Sequence, residues 1–270
     1  MTRQRFPLPL ERVRSAGAGD GRSERDALLR PQRGVRQQAR ETARTAAPSG
    51  IGLDSTAVRE HMVQRLRDGG VGHEAVLQAF LQVPRHAFVD SALAGQAYED
   101  TSLPIGMAQT ISKPSVIARM LCLLLEGDRA RGSGQLGRVL EIGTGCGYQA
   151  ALLAQLARQV VSIERLKPLH DKAREHLAAL RRDRVRLVHG DGRLGHAPSA
   201  PYDSIIAAAG GQALPAAWLE QLADGGRLVA PMHDAASGGQ RLCIVDRQGA
   251  SLTRLVADAV HFVPLKSGVI

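Results

Sequence analysis

The ten residues at positions 139–148, VLEIGTGCGY, constrain this chain more than any others. An aliphatic run suited to a buried strand enters three glycines at alternate positions, and helix-forming residues follow at once. Glycine lets the backbone turn tightly and come close to a ligand. The alternation continues downstream. The spacing predicts strands over 138–142, 160–164, 185–189, 202–208 and 226–231, with helices over 148–157, 167–180 and 215–222. Repeated βα units imply a parallel, doubly wound α/β sheet with right-handed crossovers. Continuous apolar runs suit strands covered on both faces. Residues 240–246 and 252–262, on either side of Gln248-Gly249, read as an antiparallel C-terminal pair.

Upstream, Asp54-Ser55-Thr56 offers cap chemistry for a helix carrying Val58, Met62, Val63 and Leu66, which Gly69-Gly70 ends. A second helix starts from His73, places Val76, Leu77, Phe80 and Leu81 on one face, and stops before Pro84. Residues 84–114 read as loop, and another helix covers 115–125. Residues 1–50 differ in kind. They hold 11 Arg, no Lys and five acidic residues, so +6 of the formal charge of +9 sits there and only +3 in residues 51–270. With few large apolar side chains, this stretch cannot offset the entropy of ordering and reads as a disordered Arg-rich tail. A polyanion-binding arm is the alternative. The expected division is a tail, 1–50, and one domain, 51–270. Within it, 51–130 supplies helices and a loop, and 138–270 the sheet.

Composition narrows the function. Aromatic residues make up 3% of the chain, so the core is expected to be aliphatic, and a base-stacking surface lacks its material. Cys122, Cys146 and Cys243 are far apart with no CxxC, which excludes a disulfide scaffold and a cysteine-rich zinc site. Nine histidines form neither HExxH nor a Cys/His zinc spacing, so no metal is expected. There is no apolar run long enough for a membrane span and no secretory signal, so the expected location is cytoplasmic.

The glycine spacing separates two ligand classes. It is GxGxG, not the GxGxxG of dinucleotide folds, whose helix N-terminus takes a pyrophosphate. Glu141, two residues before Gly143, would repel a pyrophosphate and suits an ammonium-bearing ligand such as S-adenosylmethionine. Glu164 closes the next strand, 21 residues after Gly143, where it can accept both ribose hydroxyls. The third strand ends in Gly190-Asp191-Gly192, where Asp191 can accept from an adenine amino group. Three acids thus fall at three successive strand ends, where open α/β sheets bind ligands. NAD binding is the rival reading. Taken singly, the glycine loop reads as a structural turn and each acid as a solvated strand end.

At this point the chain resembles the protein-L-isoaspartate O-methyltransferases, from about residue 54 to 266. The resemblance rests on Val83-Pro84-Arg85 with Phe88-Val89-Asp90, Leu103-Pro104-Ile105-Gly106, Gln109-Thr110-Ile111-Ser112, the stretch VLEIGTGCGYQAALLA at 139–154, and Ser162-Ile163-Glu164-Arg165. It continues through Gly190-Asp191-Gly192, Ala200-Pro201-Tyr202-Asp203, Gly225-Gly226-Arg227-Leu228-Val229 and Phe262-Val263-Pro264-Leu265. QTIS and FVPL are the most particular of these; GxGxG is shared by many methyltransferases.

The resemblance implies a doubly wound, Rossmann-like methyltransferase sheet, mostly parallel with an antiparallel C-terminal pair, plus N-terminal helices. It implies an enzyme that moves a methyl group from S-adenosyl-L-methionine to the α-carboxylate of isoaspartyl residues, leaving S-adenosyl-L-homocysteine. The ester lets a succinimide re-form and open partly to normal Asp, which is repair. It also implies Ser112 as the active-site residue with Thr110 and Gln109 beside it. The implied cofactor set is Glu141, Gly143, Thr144, Gly145, Gly147, Glu164, Arg165, Asp191 and Gly192. A carboxylate acceptor is already ionised at pH 7, so orientation matters more than a strong base. By position alone, Ser112 reads as a helix N-cap before Pro114; both roles can coexist. The expected partners are isoaspartyl peptides and proteins, with nucleic acid only through the basic tail, and the expected state is a monomer.

Several positions depart from the family pattern. Ala108 stands in place of the glycine of GxGQTIS, which costs strain if its φ is positive. Cys146 replaces a common serine. Ala208 lacks the threonine hydroxyl of IIVTAA, His233 stands where Pro-Val-Gly is common, and His261 replaces an arginine before FVPL that could clamp a carboxylate. These departures keep two alternatives open: a methyltransferase of another acceptor, or a homologue that binds S-adenosylmethionine without turnover. His189, just before Gly190, reads as an ordinary strand-end histidine.

Overall fold

The computed structural model describes residues 56–180 and 184–270. The expected tail and the cap residues Asp54 and Ser55 lie outside the described residues. Helices α1 (Thr56–Asp68) and α2 (Glu74–Gln82) lead through 3₁₀ turns at Arg85–Phe88 and Ser91–Gln96 to a hairpin of β1 (Leu103–Gly106) and β2 (Gln109–Ile111). Helices α3 (Pro114–Leu125) and α4 (Asp128–Ser133) follow. The alternating region comprises β3 (Arg138–Ile142), α5 (Tyr148–Leu156), β4 (Gln159–Glu164), α6 (Lys167–Ala179) and β5 (Val185–His189). It ends with β6 (Tyr202–Ala207), α7 (Ala216–Gln221), β7 (Leu222–Asp234), β8 (Gly239–Gln248) and β9 (Ser251–Val260).

Seven strands form one sheet in the order β5-β4-β3-β6-β7-β8-β9. The pairs from β5 through to β7 are parallel, and β7-β8 and β8-β9 are antiparallel. The chain winds from β3 outward to β4 and β5, then returns to place β6 on the other side of β3. That reversal opens a crevice at the carboxyl ends of β3 and β6, where open sheets bind ligands.

Four expectations change. The stretch 84–114, read as loop, contains the β1-β2 hairpin and two 3₁₀ turns. Helix α4 carries too short an apolar pattern to be read from periodicity, and Gly134 stops it in a left-handed conformation. Strand β7 begins at Leu222, where a helix was expected to end, and runs on to Asp234, because β6 and β8 recruit both ends into pairing. Val58, expected on the buried face of α1, is exposed, while Met62, Val63 and Leu66 are buried.

The scarcity of rings does not make the core purely aliphatic. Every aromatic residue among those described is at most 6% exposed. Phe80 and Phe88 meet the Tyr148 ring edge-on at 6.2 and 5.4 Å. On the opposite face of the sheet, Trp218 is buried among Tyr202, Ile205 and Leu228, and its Nε1 donates to the Gly192 carbonyl at 2.8 Å, the partner a buried indole requires.

Candidate active site

A cavity of about 390 Å³ opens in that crevice. Its floor is the glycine turn. The Gly143 and Thr144 N–H groups donate to the Ile163 carbonyl at 2.9 and 3.2 Å, which locks the turn to β4. Gly145 and Gly147 have φ of 57° and 91°. A Cβ on Gly145 would lie 3.1 Å from Ile105 Cδ1, and one on Gly147 would press on Ala173 and Leu177 of α6. Gly145 lines the cavity, whereas Gly147 serves helix packing behind it.

The Glu164 carboxylate forms one side of the cavity. It is 5% exposed, and its oxygens accept the N–H groups of Gly145 (2.8 Å) and Leu166 (2.9 Å). A carboxylate has further lone pairs for a ligand's hydroxyls. Glu141, expected to suit an ammonium-bearing ligand, lies deeper than Glu164. Parallel register sets it opposite Ser162, fully buried beneath the turn and outside the cavity wall. The Ser162 hydroxyl donates to Glu141 Oε2 at 2.5 Å and shares a 2.6 Å bond with the Thr144 hydroxyl. Burial pushes the Glu141 carboxyl up to about 8; Ser162 and Gln149 oppose this, and the Glu164 charge adds to it. Glu141 therefore braces the turn from behind through Ser162, with its carboxyl held well above the ordinary carboxylate range by burial.

Asp191 also stands outside the wall. Its carboxylate accepts Arg193 N–H at 2.9 Å and Gly268 N–H at 2.6 Å. Arg165 lines the cavity, and its guanidinium donates to the Gly268 and Ser267 carbonyls at 3.0 and 3.2 Å. Together these residues hold segment 267–270 along the ends of β4 and β5. Gly192 lines the cavity, and a Cβ there would meet Ile142 Cγ2 at 2.6 Å. His189 contacts the Arg165 carbonyl at 3.2 Å.

The opposite wall is the β1-β2 hairpin. Its tip, Met107-Ala108, has φ of 53° and 55°, so Ala108 does occupy a glycine-like conformation. The Gln109 amide donates to the Met107 and Ala108 carbonyls at 3.2 and 3.1 Å, clasping the tip. Thr110 and Ser112 line the cavity. Among the described residues, the Ser112 hydroxyl has no hydrogen-bond partner, so the N-cap reading is corrected. Lys113 is the N-cap of α3 and makes no side-chain cap bond. The capping acceptor is Asp100, whose oxygens take Ser115 N–H (2.9 Å) and Ser115 Oγ–H (2.7 Å). At the end of β6, Ala208 lines the cavity; exposed His261 lies outside it. Sequence reasoning missed the aliphatic walls Ile105, Ile117, Leu169 and Leu265, which read as ordinary core residues.

The volume lies within the ~300–1,000 Å³ of small-ligand pockets. The glycine cradle, where side chains would collide, and the nearly buried Glu164 fit a ribose-bearing, cationic ligand such as S-adenosylmethionine. The sequence profile of protein-L-isoaspartate(D-aspartate) O-methyltransferase matches residues 57–269. The chain is 61% identical over 265 residues to the protein-L-isoaspartate O-methyltransferase of Methylibium petroleiphilum, covering 98% of this chain and 96% of that one. It is 55% identical over 242 residues to the same-named protein of Burkholderia pseudomallei, covering 89% and 73%. A solved protein-L-isoaspartate O-methyltransferase superposes with a TM-score of 0.69 at 28% identity over 78% of this chain and 67% of that one. A Plasmodium falciparum structure in complex with S-adenosyl-L-homocysteine shares the fold, with a TM-score of 0.65 at 22% identity, covering 77% and 98%. The chain belongs to the protein-L-isoaspartate O-methyltransferase family.

Proposed function

We infer that this chain esterifies the α-carboxylate of isoaspartyl residues in damaged proteins, using S-adenosylmethionine. The observation that carries the reading is one cavity with the glycine turn and Glu164 on one side and the unpartnered Ser112 hydroxyl on the other. S-adenosylmethionine, when bound, supplies an electrophilic methyl group. We assign Gly143, Thr144 and Gly145 to its amino-acid end and Glu164 to its ribose, with Arg165 and Gly192 on the adenine side and Asp191 behind them, holding Gly268. Glu141 and Gly147 act from behind the turn. The acceptor is ionised at pH 7, so no residue has to remove a proton. The Ser112 hydroxyl donates to one carboxylate oxygen and Thr110 offers a second donor, fixing the attack direction. Gln109 contributes by holding the hairpin tip. The hairpin and segment 263–266 exclude water, which strengthens these bonds.

Among the described residues, no helix is long and apolar enough to cross a membrane. The reading includes a monomeric, cytoplasmic enzyme, with any polyanion contact confined to residues 1–50. The test is purified protein with labelled S-adenosylmethionine and paired peptides containing isoaspartate or normal aspartate. A base-labile methyl ester is expected on the isoaspartyl peptide alone. No ester on either peptide overturns the reading, and labelling of the normal peptide favours another acceptor.

A further inference from the structure

We infer that Arg85 is the positioning residue of the acceptor wall, holding the Ser112 peptide against the helix that follows the glycine turn. Arg85 is 0% exposed. Its Nη2 donates to the Ser112 carbonyl at 2.7 Å and to the Thr101 carbonyl at 3.3 Å. Thr101 precedes β1 and Ser112 follows β2, so one group ties both ends of the hairpin. The guanidinium carbon lies 4.9 Å from the centroid of the Tyr148 ring. Tyr148 is the first residue of α5 and lines the cavity. A single planar group thus links the wall that presents Ser112 to the element that carries the glycine turn.

The arrangement is costly to the fold. Among the described residues, no carboxylate pairs with Arg85, and its Nε and Nη1 are buried without hydrogen-bond partners. A buried charge without a counter-ion is strongly unfavourable, and apolar packing of similar volume is commonly better for stability. What arginine alone supplies is a planar fork that stacks on a ring while donating to carbonyls; lysine is a point charge and cannot do both. The positive charge buried behind Ser112 also favours an anionic acceptor on the cavity side.

This inference rests on Ser112 as the acceptor-side residue. The test uses Arg85→Lys, Arg85→Gln, Ser112→Ala and the Arg85→Lys/Ser112→Ala double variant, assayed with isoaspartyl peptide. Displacement of a reacting group by about 1 Å can cost on the order of 100-fold. We expect kcat to fall at least ~10-fold in both Arg85 variants, with cofactor Kd within about twofold of wild type. In the Ser112→Ala background, Arg85→Lys should cost less than about threefold, because residues acting through one group are not additive. Wild-type kcat in both Arg85 variants overturns the inference. So does a loss that tracks cofactor affinity, an additive double variant, or failure of both Arg85 variants to fold. Absence of ester from the wild type would defeat the function itself, which is a separate outcome.

Discussion

Glu164 accepts the backbone N–H of Gly145 at 2.8 Å, across 19 residues of chain. This bond joins the end of β4 to the turn after β3, and the same carboxylate anchors the start of α6 through Leu166. One side chain therefore shapes the cavity floor and also faces the cavity.

Glu164→Gln should weaken both roles. An amide has one acceptor oxygen where two N–H groups need one each, so a nearly buried N–H is left unpaired. The expected loss is about 1–3 kcal/mol of stability, with cofactor Kd raised on the order of tenfold by ~1.4 kcal/mol of lost binding. Urea melts and calorimetric titration measure the two effects; unchanged Kd would remove Glu164 from the cofactor set.

Glu141 should make stability depend on pH. In the unfolded chain its carboxyl titrates near ~4.3; in the fold, burial raises it to about 8. Between these values the native state holds a proton that the unfolded state lacks, so stability falls as pH rises. The contribution is complete below the unfolded value and lost once pH passes about 8. Glu141→Gln lacks this titration. Its stability relative to wild type should increase from pH 5 to 8, at up to ~1.4 kcal/mol per pH unit, and level off above. Parallel pH curves for the two proteins would contradict the assignment.

Ala108→Gly should stabilise the hairpin tip. A left-handed alanine costs roughly 1–2 kcal/mol, and glycine gives back up to ~1 kcal/mol as unfolded-state entropy. A net gain of up to about 1 kcal/mol is expected in denaturant unfolding. A destabilised variant would mean that the alanine methyl makes a compensating contact.

Ser112→Ala should separate capping from chemistry. Because Asp100 caps α3, losing the Ser112 hydroxyl should change stability by less than about 0.5 kcal/mol. Asp100→Ala should cost ~1 kcal/mol. Turnover of isoaspartyl peptide should fall in Ser112→Ala while cofactor Kd holds. A large loss of cofactor affinity would instead make Ser112 part of the cofactor site.

The strands and helices from β3 to β5 were legible because their apolar periods are long and the turn after each strand carries Gly or Pro. The β1-β2 hairpin was not: its strands are short, Pro104 interrupts the first, and Met107-Ala108 lacks the Gly or Asn that usually signals a left-handed turn. In the site, Gly143, Thr144, Gly145, Glu164, Gly192, Thr110 and Ser112 share one cavity. Glu141 and Asp191 looked equivalent to Glu164 as strand-end acids. Register sent the first beneath the turn, and Gly268 engages the second.

The sequence by itself determined the order of the βα units, the glycine turn and the acids at the strand ends. These follow from local periodicity and backbone freedom, which act over a few residues. Only the tertiary structure decided where each charge faces and what it meets. Asp191 reaches Gly268 across 77 residues and Arg85 reaches Ser112 across 27. Burial and non-local hydrogen bonds, which no short window of sequence contains, pushed the Glu141 carboxyl upward and left the hydroxyl of Ser112 without a partner among the described residues.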